Sequence, residues 1–408
     1  MQTNLVQEFA NKPEGQEAED ILRSCVHCGF CTATCPTYQE LGDERDGPRG
    51  RIYLMKMFLE GQETTERTRE HLDRCLSCRS CETTCPSGVQ YGRLLDISRG
   101  FMEERLERPR HEKWLRWGLT RVLPSRRLFG SLLRLGQIAR PLVPEPLRSK
   151  IPPKKTAHAW PVGTHDRKVL ALAGCVQPSA TPNTNAAAAR VLDRLGITLM
   201  EAPQAGCCGA VNYHLGDHED GLDHMRRNID AWWPAIENGA EAIVMTASGC
   251  GAMVQDYGHL LKGDPAYADR ARRVSELTMD LGAFLLQQDL GPLQRSGARG
   301  KVAFHCPCTL QHAMKQGGVV EEVLEKAGVE LATTTDRHLC CGSAGTYSVL
   351  QPELSQRLLI NKLQALTVEQ PDEIVTANVG CQLHLETRST VPVRHWIELL
   401  DRGPSINQ

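Results

Sequence analysis

Apolar residues follow two different rhythms along this chain, and the change of rhythm divides it. From Arg51 to Glu60 (RIYLMKMFLE) and from Glu66 to Arg74 (ERTREHLDR) the spacing is helical, with Gly61 between them as a stop. Further on, short apolar runs alternate with longer helical stretches. Lys168 to Ala173 reads as a strand, Asn183 to Leu195 as a helix and Ile197 to Met200 as a second strand. A long helix around Gly221 to Ala235 and a strand from Glu241 to Thr246 follow, ahead of a turn holding Cys250. The order then recurs, with Val329 to Ala332 and Glu373 to Thr376 as strands, the latter ahead of Cys381. Such alternation predicts parallel sheets, with the cysteines on turns at the carboxyl ends of strands, where ligands usually bind.

The recurrence is an internal duplication. Lys168-Val169-Leu170-Ala171-Leu172 before Cys175 matches Lys301-Val302-Ala303-Phe304-His305 before Cys308 at an offset of 133. Cys207-Cys208-Gly209 matches Cys340-Cys341-Gly342 at the same offset of 133, while Cys250 against Cys381 drifts by two. Two homologous domains explain this most simply. The fold expected is multidomain α+β, an N-terminal helical part followed by two duplicated α/β domains with parallel sheets. The divisions fall at 1–110, 111–165, 166–295 and 296–408. Gly209 and Gly342 are read as giving the backbone room beside a bulky ligand.

Between the two rhythms the charge changes. From His111 to Lys155 there are eleven Lys/Arg against Glu112 and Glu145, a local +9 in a chain whose total is −2. Trp114, Leu115, Trp117, Leu128, Phe129, Leu132, Leu133 and Leu135 are interleaved with those charges. Prolines at 141, 144, 146, 152 and 153 then suggest an extended linker. A basic helix of this kind can lie in a membrane interface, or can pack its apolar side on the neighbouring domain or a partner subunit.

The near-neutral total removes the strongest argument for nucleic acid as a partner. No run of 18 apolar residues exists, so no spanning helix is expected. The first twenty residues carry Glu8, Glu14, Glu17, Glu19 and Asp20 and lack an apolar signal region, which points to the cytoplasm. Seventeen cysteines are then the anomaly, because a reducing compartment does not maintain a disulfide framework.

Spacing resolves half of them. Cys25, Cys28, Cys31 and Cys35 precede Pro36, and Cys75, Cys78, Cys81 and Cys85 precede Pro86, an offset of 50 at every position. This is the C-x2-C-x2-C-x3-C-P run of ferredoxins with two [4Fe–4S] clusters, whose fourth cysteine ligates the other cluster. One cluster is therefore expected on Cys25, Cys28, Cys31 and Cys85, and the other on Cys75, Cys78, Cys81 and Cys35. A pair of zinc sites fits four cysteines in eleven residues poorly. The helices between the runs point to the helical type of ferredoxin. Arg79, inside the second loop, is either a cation tuning that cluster or a solvated loop residue.

The duplicated half holds two further quartets: Cys175, Cys207, Cys208 and Cys250, then Cys308, Cys340, Cys341 and Cys381, with Cys306 left over. Each is a candidate redox or metal centre. Adjacent cysteines do not sit easily on one cubane face, so a distorted cluster, a vicinal disulfide and buried thiols all remain open. His27 and His305 are read as structural histidines. No G-x-G-x-x-G follows a strand and no Walker motif occurs, so no flavin or nicotinamide site is expected on this chain and no catalytic residue is assigned to it.

These motifs resemble the iron–sulfur subunits of glycolate oxidase, also called glycolate dehydrogenase. The resemblance is carried by CVHCGFCTATCPTYQ (Cys25 to Gln39), DGPRGRIYL (Asp46 to Leu54), LDRCLSCRSCETTCPSG (Leu72 to Gly88), TASGCGA (Thr246 to Ala252) and FHCPCTLQHA (Phe304 to Ala313). It implies a helical ferredoxin domain followed by two Cys-Cys-Gly (CCG) domains. It also implies partner flavoprotein subunits that carry the flavin and oxidise glycolate to glyoxylate, and often D-lactate. Electrons would pass through this chain to a quinone or another membrane acceptor, with the complex peripheral to the inner membrane. Anaerobic glycerol-3-phosphate dehydrogenase and heterodisulfide-reductase-like proteins share the architecture; a scaffold with structural clusters is the non-redox alternative. The fuller CCG pattern ends in C-x-x-C, and Ala247 and Asn378 stand here where its first cysteine would be.

Overall fold

Prolines at the first turn of three helices, Pro13, Pro36 and Pro48, where a missing N–H costs nothing, help to set up the N-terminal part. The computed structural model describes residues 1–144, 148–294 and 300–401. Helices Pro13–Ser24, Pro48–Leu59, Glu66–Asp73 and Tyr91–Arg105 bury Leu22, Met55, Phe58, Leu72, Leu94 and Leu95 in one core. Gly61 stops the second of them at φ +78°, as its position between the two helical patterns predicts. Thr65 starts the third by accepting from the Thr68 N–H.

The basic segment forms two helices, Arg110–Val122 and Arg126–Ala139, the second capped by Ser125. Gly130 is the one buried residue in the pair. Trp114, Trp117, Leu128, Leu132, Leu135 and Ile138 all stand more than half exposed, so the apolar side is not packed on the ferredoxin domain. Pro146 and Glu145 lie outside the described residues, as does the expected boundary at 295/296.

In the duplicated half, β1 (Arg167–Ala171), β2 (Ile197–Glu201), β3 (Ile243–Met245) and β4 (Thr278–Asp280) form a parallel sheet in the order β2-β1-β3-β4. β5 (Val302–His305), β6 (Glu373–Thr376) and β7 (Val393–His395) form a second parallel sheet in the order β5-β6-β7. Leu331 makes a single parallel bridge to Val302, where β2 lies in the first copy. The strand expected over Val329 to Ala332 is thus reduced to one bridge. The outer strands β4 (Thr278-Met279-Asp280) and β7 (Val393-Arg394-His395) escape a pattern reading because, unlike the equally short β3 (Ile243-Val244-Met245), they carry no continuous apolar run.

The two copies are joined through one continuous core. Val169, Ala188, Leu192 and Phe284 of the first pack with Val302, Phe304, Leu324 and Trp396 of the second. At the junction the Ser248 N–H donates to the Ala377 carbonyl at 3.0 Å, and a ring nitrogen of His395 lies 2.8 Å from the Thr246 carbonyl.

The ferredoxin domain sits across both copies. Arg79 and Arg93 converge on Asp256 at 3.0 and 3.1 Å, Glu17 takes His259 and Lys262 at 2.8 and 2.9 Å, and the Tyr347 hydroxyl donates to the Arg74 carbonyl at 3.0 Å. No helix among the described residues is long and apolar enough to cross a membrane.

The two CCG glycines adopt φ of +91° and +87°. A Cβ at Gly209 would meet the Gly221 carbonyl oxygen at 2.6 Å, and one at Gly342 the Ser355 carbonyl oxygen at 2.5 Å. The room they give therefore serves a neighbouring helix backbone rather than a ligand, which corrects the sequence expectation.

Candidate metal centres

Both ferredoxin runs bend through the same two left-handed positions: His27 and Gly29 in the first, Ser77 and Arg79 in the second. Such backbone curls three nearby cysteines round a common point. The segments ahead of the fourth cysteines cross, with the Thr34 and Thr84 hydroxyls 3.1 Å apart. A cavity of about 420 Å³ is lined by Cys25, Cys28, Cys31 and Cys85, with Cys81, Ile52 and Tyr91 also on its wall. Burial first, then Cys25, Cys85 and Cys28, push the Cys31 thiol up to about 11. Around the second point, burial and then Cys78, Cys75 and Cys35 push Cys81 well up. Each group thus takes three thiols from one run and one from the other.

This donor set fits a cubane cluster. Buried thiols that resist ionising because other thiols crowd them are held as thiolates by a bound cation. Four cysteine sulfurs gathered round one point are the ligand set of [4Fe–4S].

The buried cation beside the second group is Arg51, while Arg99 binds its loop from helix Tyr91–Arg105 by donating to the Cys75 carbonyl at 3.1 Å. Arg79 is spent on Asp256 in the neighbouring domain. Arg51 is 1% exposed; burial works against its charge, but Cys75, Tyr91, Cys35 and Asp46 outweigh it and hold it protonated. Its guanidinium donates to the His71 carbonyl at 2.7 Å, the Thr37 hydroxyl at 3.0 Å and Asp46 at 3.4 Å. A signal was present: Arg51 occupies the helical stripe of Met55, Phe58 and Leu59, all buried, where an apolar residue is the rule.

The CCG quartets also assemble. Cys207 interacts with the Cys175 and Cys208 thiols, and Cys208 with Cys250. In the second copy the Cys308 and Cys340 sulfurs lie 3.8 Å apart, Cys340 meets Cys341, and Cys341 meets Cys381. The adjacent cysteines therefore take successive places in one row of four sulfurs instead of competing for one face. Cys306 is buried near Glu321 and Arg337, and burial pushes its thiol well up, in keeping with its exclusion by the offset of 133. Asn378 bridges the two copies, since its amide donates to the Cys381 sulfur at 3.3 Å and accepts from the Gly249 N–H at 3.3 Å.

The two CCG quartets stand differently toward the ferredoxin domain. Cys308 is the foremost charge acting on Cys78, and both pack against Leu76, Cys340 and Tyr347. For Cys175, Cys207 and Cys208 no ferredoxin cysteine is among the leading influences. Cys28 is exposed, as are Val26 and Phe30 two residues to either side of it in the chain, and Tyr53, whose ring meets His27 edge-on.

Comparison with known proteins agrees with this geometry. Residues 21–89 match the 4Fe-4S dicluster domain family, and residues 169–255 and 302–386 each match the Cysteine-rich domain family. The chain is 57% identical over 406 residues, 99% of each chain, to the glycolate oxidase iron-sulfur subunit of Escherichia coli. It is 30% identical to the probable glycolate oxidase iron-sulfur subunit of Bacillus subtilis, covering 93% of this chain and 92% of that protein. Lactate utilization protein A of Anoxybacillus flavithermus is 28% identical, over 54% of this chain and 92% of its own length.

Proposed function

The chain belongs to the family of glycolate oxidase iron–sulfur subunits, and from that membership we propose that it relays electrons from flavoprotein partners oxidising glycolate, and D-lactate, to a quinone-linked acceptor. The two ferredoxin quartets hold the [4Fe–4S] clusters, which supply one-electron steps between a two-electron flavin and the acceptor.

The observation that carries this reading is the polarity of the cysteine array. Its first quartet, Cys25, Cys28, Cys31 and Cys85, reaches the surface at Cys28, and the neighbouring Val26 and Phe30 are exposed apolar residues, of the kind enriched on docking faces. Its second quartet, Cys75, Cys78, Cys81 and Cys35, is turned inward against Cys308. The chain's own residues set the environment: Arg51 places a fixed positive charge beside the second quartet, and Tyr91 donates to the Cys75 sulfur at 3.6 Å.

The exposed Trp and Leu side of helices Arg110–Val122 and Arg126–Ala139, set in a +9 segment, supports a peripheral seat on the anionic cytoplasmic face of the inner membrane. Anaerobic isolation of the native complex tests the reading. A flavoprotein partner and acid-labile sulfide in proportion to two cubanes are expected; repeated recovery without a flavoprotein contradicts it.

A further inference from the structure

The two CCG copies set the same four cysteines on the same turns, yet their surroundings differ at two buried positions. The offset of 133 that aligns Cys308 with Cys175 places His305 opposite Leu172. His305 ends β5 and is 1% exposed. Its Nδ1 lies 2.9 Å from the hydroxyl of Thr376, its register partner on β6. Its Nε2 is buried with no hydrogen-bond partner among the described residues. A ring nitrogen of His305 and the sulfurs of Cys341 and Cys381 all lie within 4.8 Å of one another.

The second difference is a charge. Gly209 abuts Gly221 and His224, and Gly342 abuts Ser355 and Leu358, so the facing helices correspond at an offset of 134. That register places Lys362 opposite Asn228. Lys362 is buried, donates to the Asp336 carbonyl at 2.8 Å, and has Cys341 and Cys340 as its leading charged neighbours. Asn228 is neutral and donates to the Cys207 carbonyl at 2.9 Å. The second copy thus places a buried lysine amine beside its adjacent cysteines where the first has a neutral amide.

An imidazole nitrogen stripped of water and given no partner is an anomaly that a metal bond resolves. A histidine whose Nδ1–H is held by a second-shell acceptor keeps the Nε2 lone pair free, the arrangement usual for metal-bound imidazole. Metal–sulfur bonds of about 2.3 Å and metal–nitrogen bonds of about 2.0 Å bring ligands of one ion to roughly 4 Å apart, and the observed triad needs little closure.

We propose that His305 Nε2 is a fifth protein ligand of the C-terminal CCG centre, bound with Cys341 and Cys381 to one transition-metal ion. Mixed imidazole and thiolate donors suit iron and zinc alike. On binding, the cysteines release their protons to solvent, and Nδ1 keeps its proton toward Thr376. The first copy, with Leu172 in that place, is left with sulfur ligands alone. This rests on reading the C-terminal quartet as a metal centre, and it is independent of the two ferredoxin quartets.

The test uses full-length chain isolated anaerobically in its complex, with 15N-labelled histidine. Iron, zinc and sulfide are counted, pulsed EPR reads nitrogen bound to iron, and X-ray absorption at the zinc edge reads nitrogen bound to zinc. The unsubstituted chain is expected to show one histidine nitrogen on one metal, and which spectrum carries it identifies the ion. His305→Leu, the residue of the first copy, should remove that nitrogen together with its metal, leaving both ferredoxin signals in place. His305→Cys should remove the nitrogen and keep the metal. No metal-bound histidine nitrogen in the unsubstituted chain, or one that survives either substitution, overturns the proposal. Loss of the ferredoxin signals from the unsubstituted chain would instead count against the electron-relay reading.

Discussion

Arg51→Gln removes the buried positive charge beside Cys75 and Cys35, and Arg51→Lys keeps the charge while breaking its three-way hydrogen bonding. The pair separates electrostatics from packing. At an effective dielectric of about 20, a unit charge about 8 Å from an added electron is worth roughly 2 kcal/mol, or about 90 mV for a one-electron couple. Asp46 lies 3.4 Å from the guanidinium and is shared with Arg74 and His71, so part of that field is cancelled and a fall of about 50 mV is expected. Both variants lose stability, because Arg51 bonds His71, Thr37 and Asp46 at 1% exposure. Breaking such a buried pair costs about 3–5 kcal/mol. An EPR-monitored redox titration reads the potentials, with the cluster on Cys25, Cys28, Cys31 and Cys85 as internal reference. Arg51→Gln should lower the second cluster alone, and Arg51→Lys should leave it near its original value. Equal potentials in the two variants would refute the reasoning.

Gly209→Ala and Gly342→Ala each force a Cβ to within 2.6 and 2.5 Å of a helix carbonyl at positive φ. Thermal unfolding should show losses of at least about 2 kcal/mol each, and an unchanged Tm would deny the close approach. Burial raises the Asp280 carboxyl to about 7, its bond from the Gly282 N–H working the other way. The folded chain then binds the extra proton between the unfolded value of about 4 and pH 7, so stability falls as pH rises through that window, by up to about 1.4 kcal/mol per unit. Asp280→Asn should flatten this slope in denaturant titrations at successive pH values. Replacing Trp114 and Trp117 together by Glu should cut co-sedimentation with anionic vesicles at least tenfold at unchanged iron content. Equal binding would remove these helices as the membrane face.

What the sequence made legible followed from covalent spacing. The crossed pairing of the two runs is expected because four cysteines in eleven residues leave few geometries, and the duplication is readable because its offset is kept from Lys168 to Cys208. β4 and β7, which are short and interrupted by polar residues, left no apolar run to read, whereas the equally short β3 did. Val329 to Ala332 carried a strand-like pattern but finds pairing at Leu331 alone. Arg79 stands out by adjacency to Cys78, whereas the buried charge beside Cys75 and Cys35 is Arg51, twenty-four residues before Cys75 in the chain. His305 looked like an ordinary structural histidine, because an unpartnered Nε2 is a property of the folded core and not of local sequence.

The central claim is that this chain carries electrons withdrawn from a hydroxy acid by its partners. The most direct measurement adds glycolate to the anaerobic native complex and follows the clusters by rapid-freeze EPR. Both [4Fe–4S] signals should appear after flavin reduction, within the turnover time. Flavin reduction with both clusters still oxidised after many turnovers would contradict it.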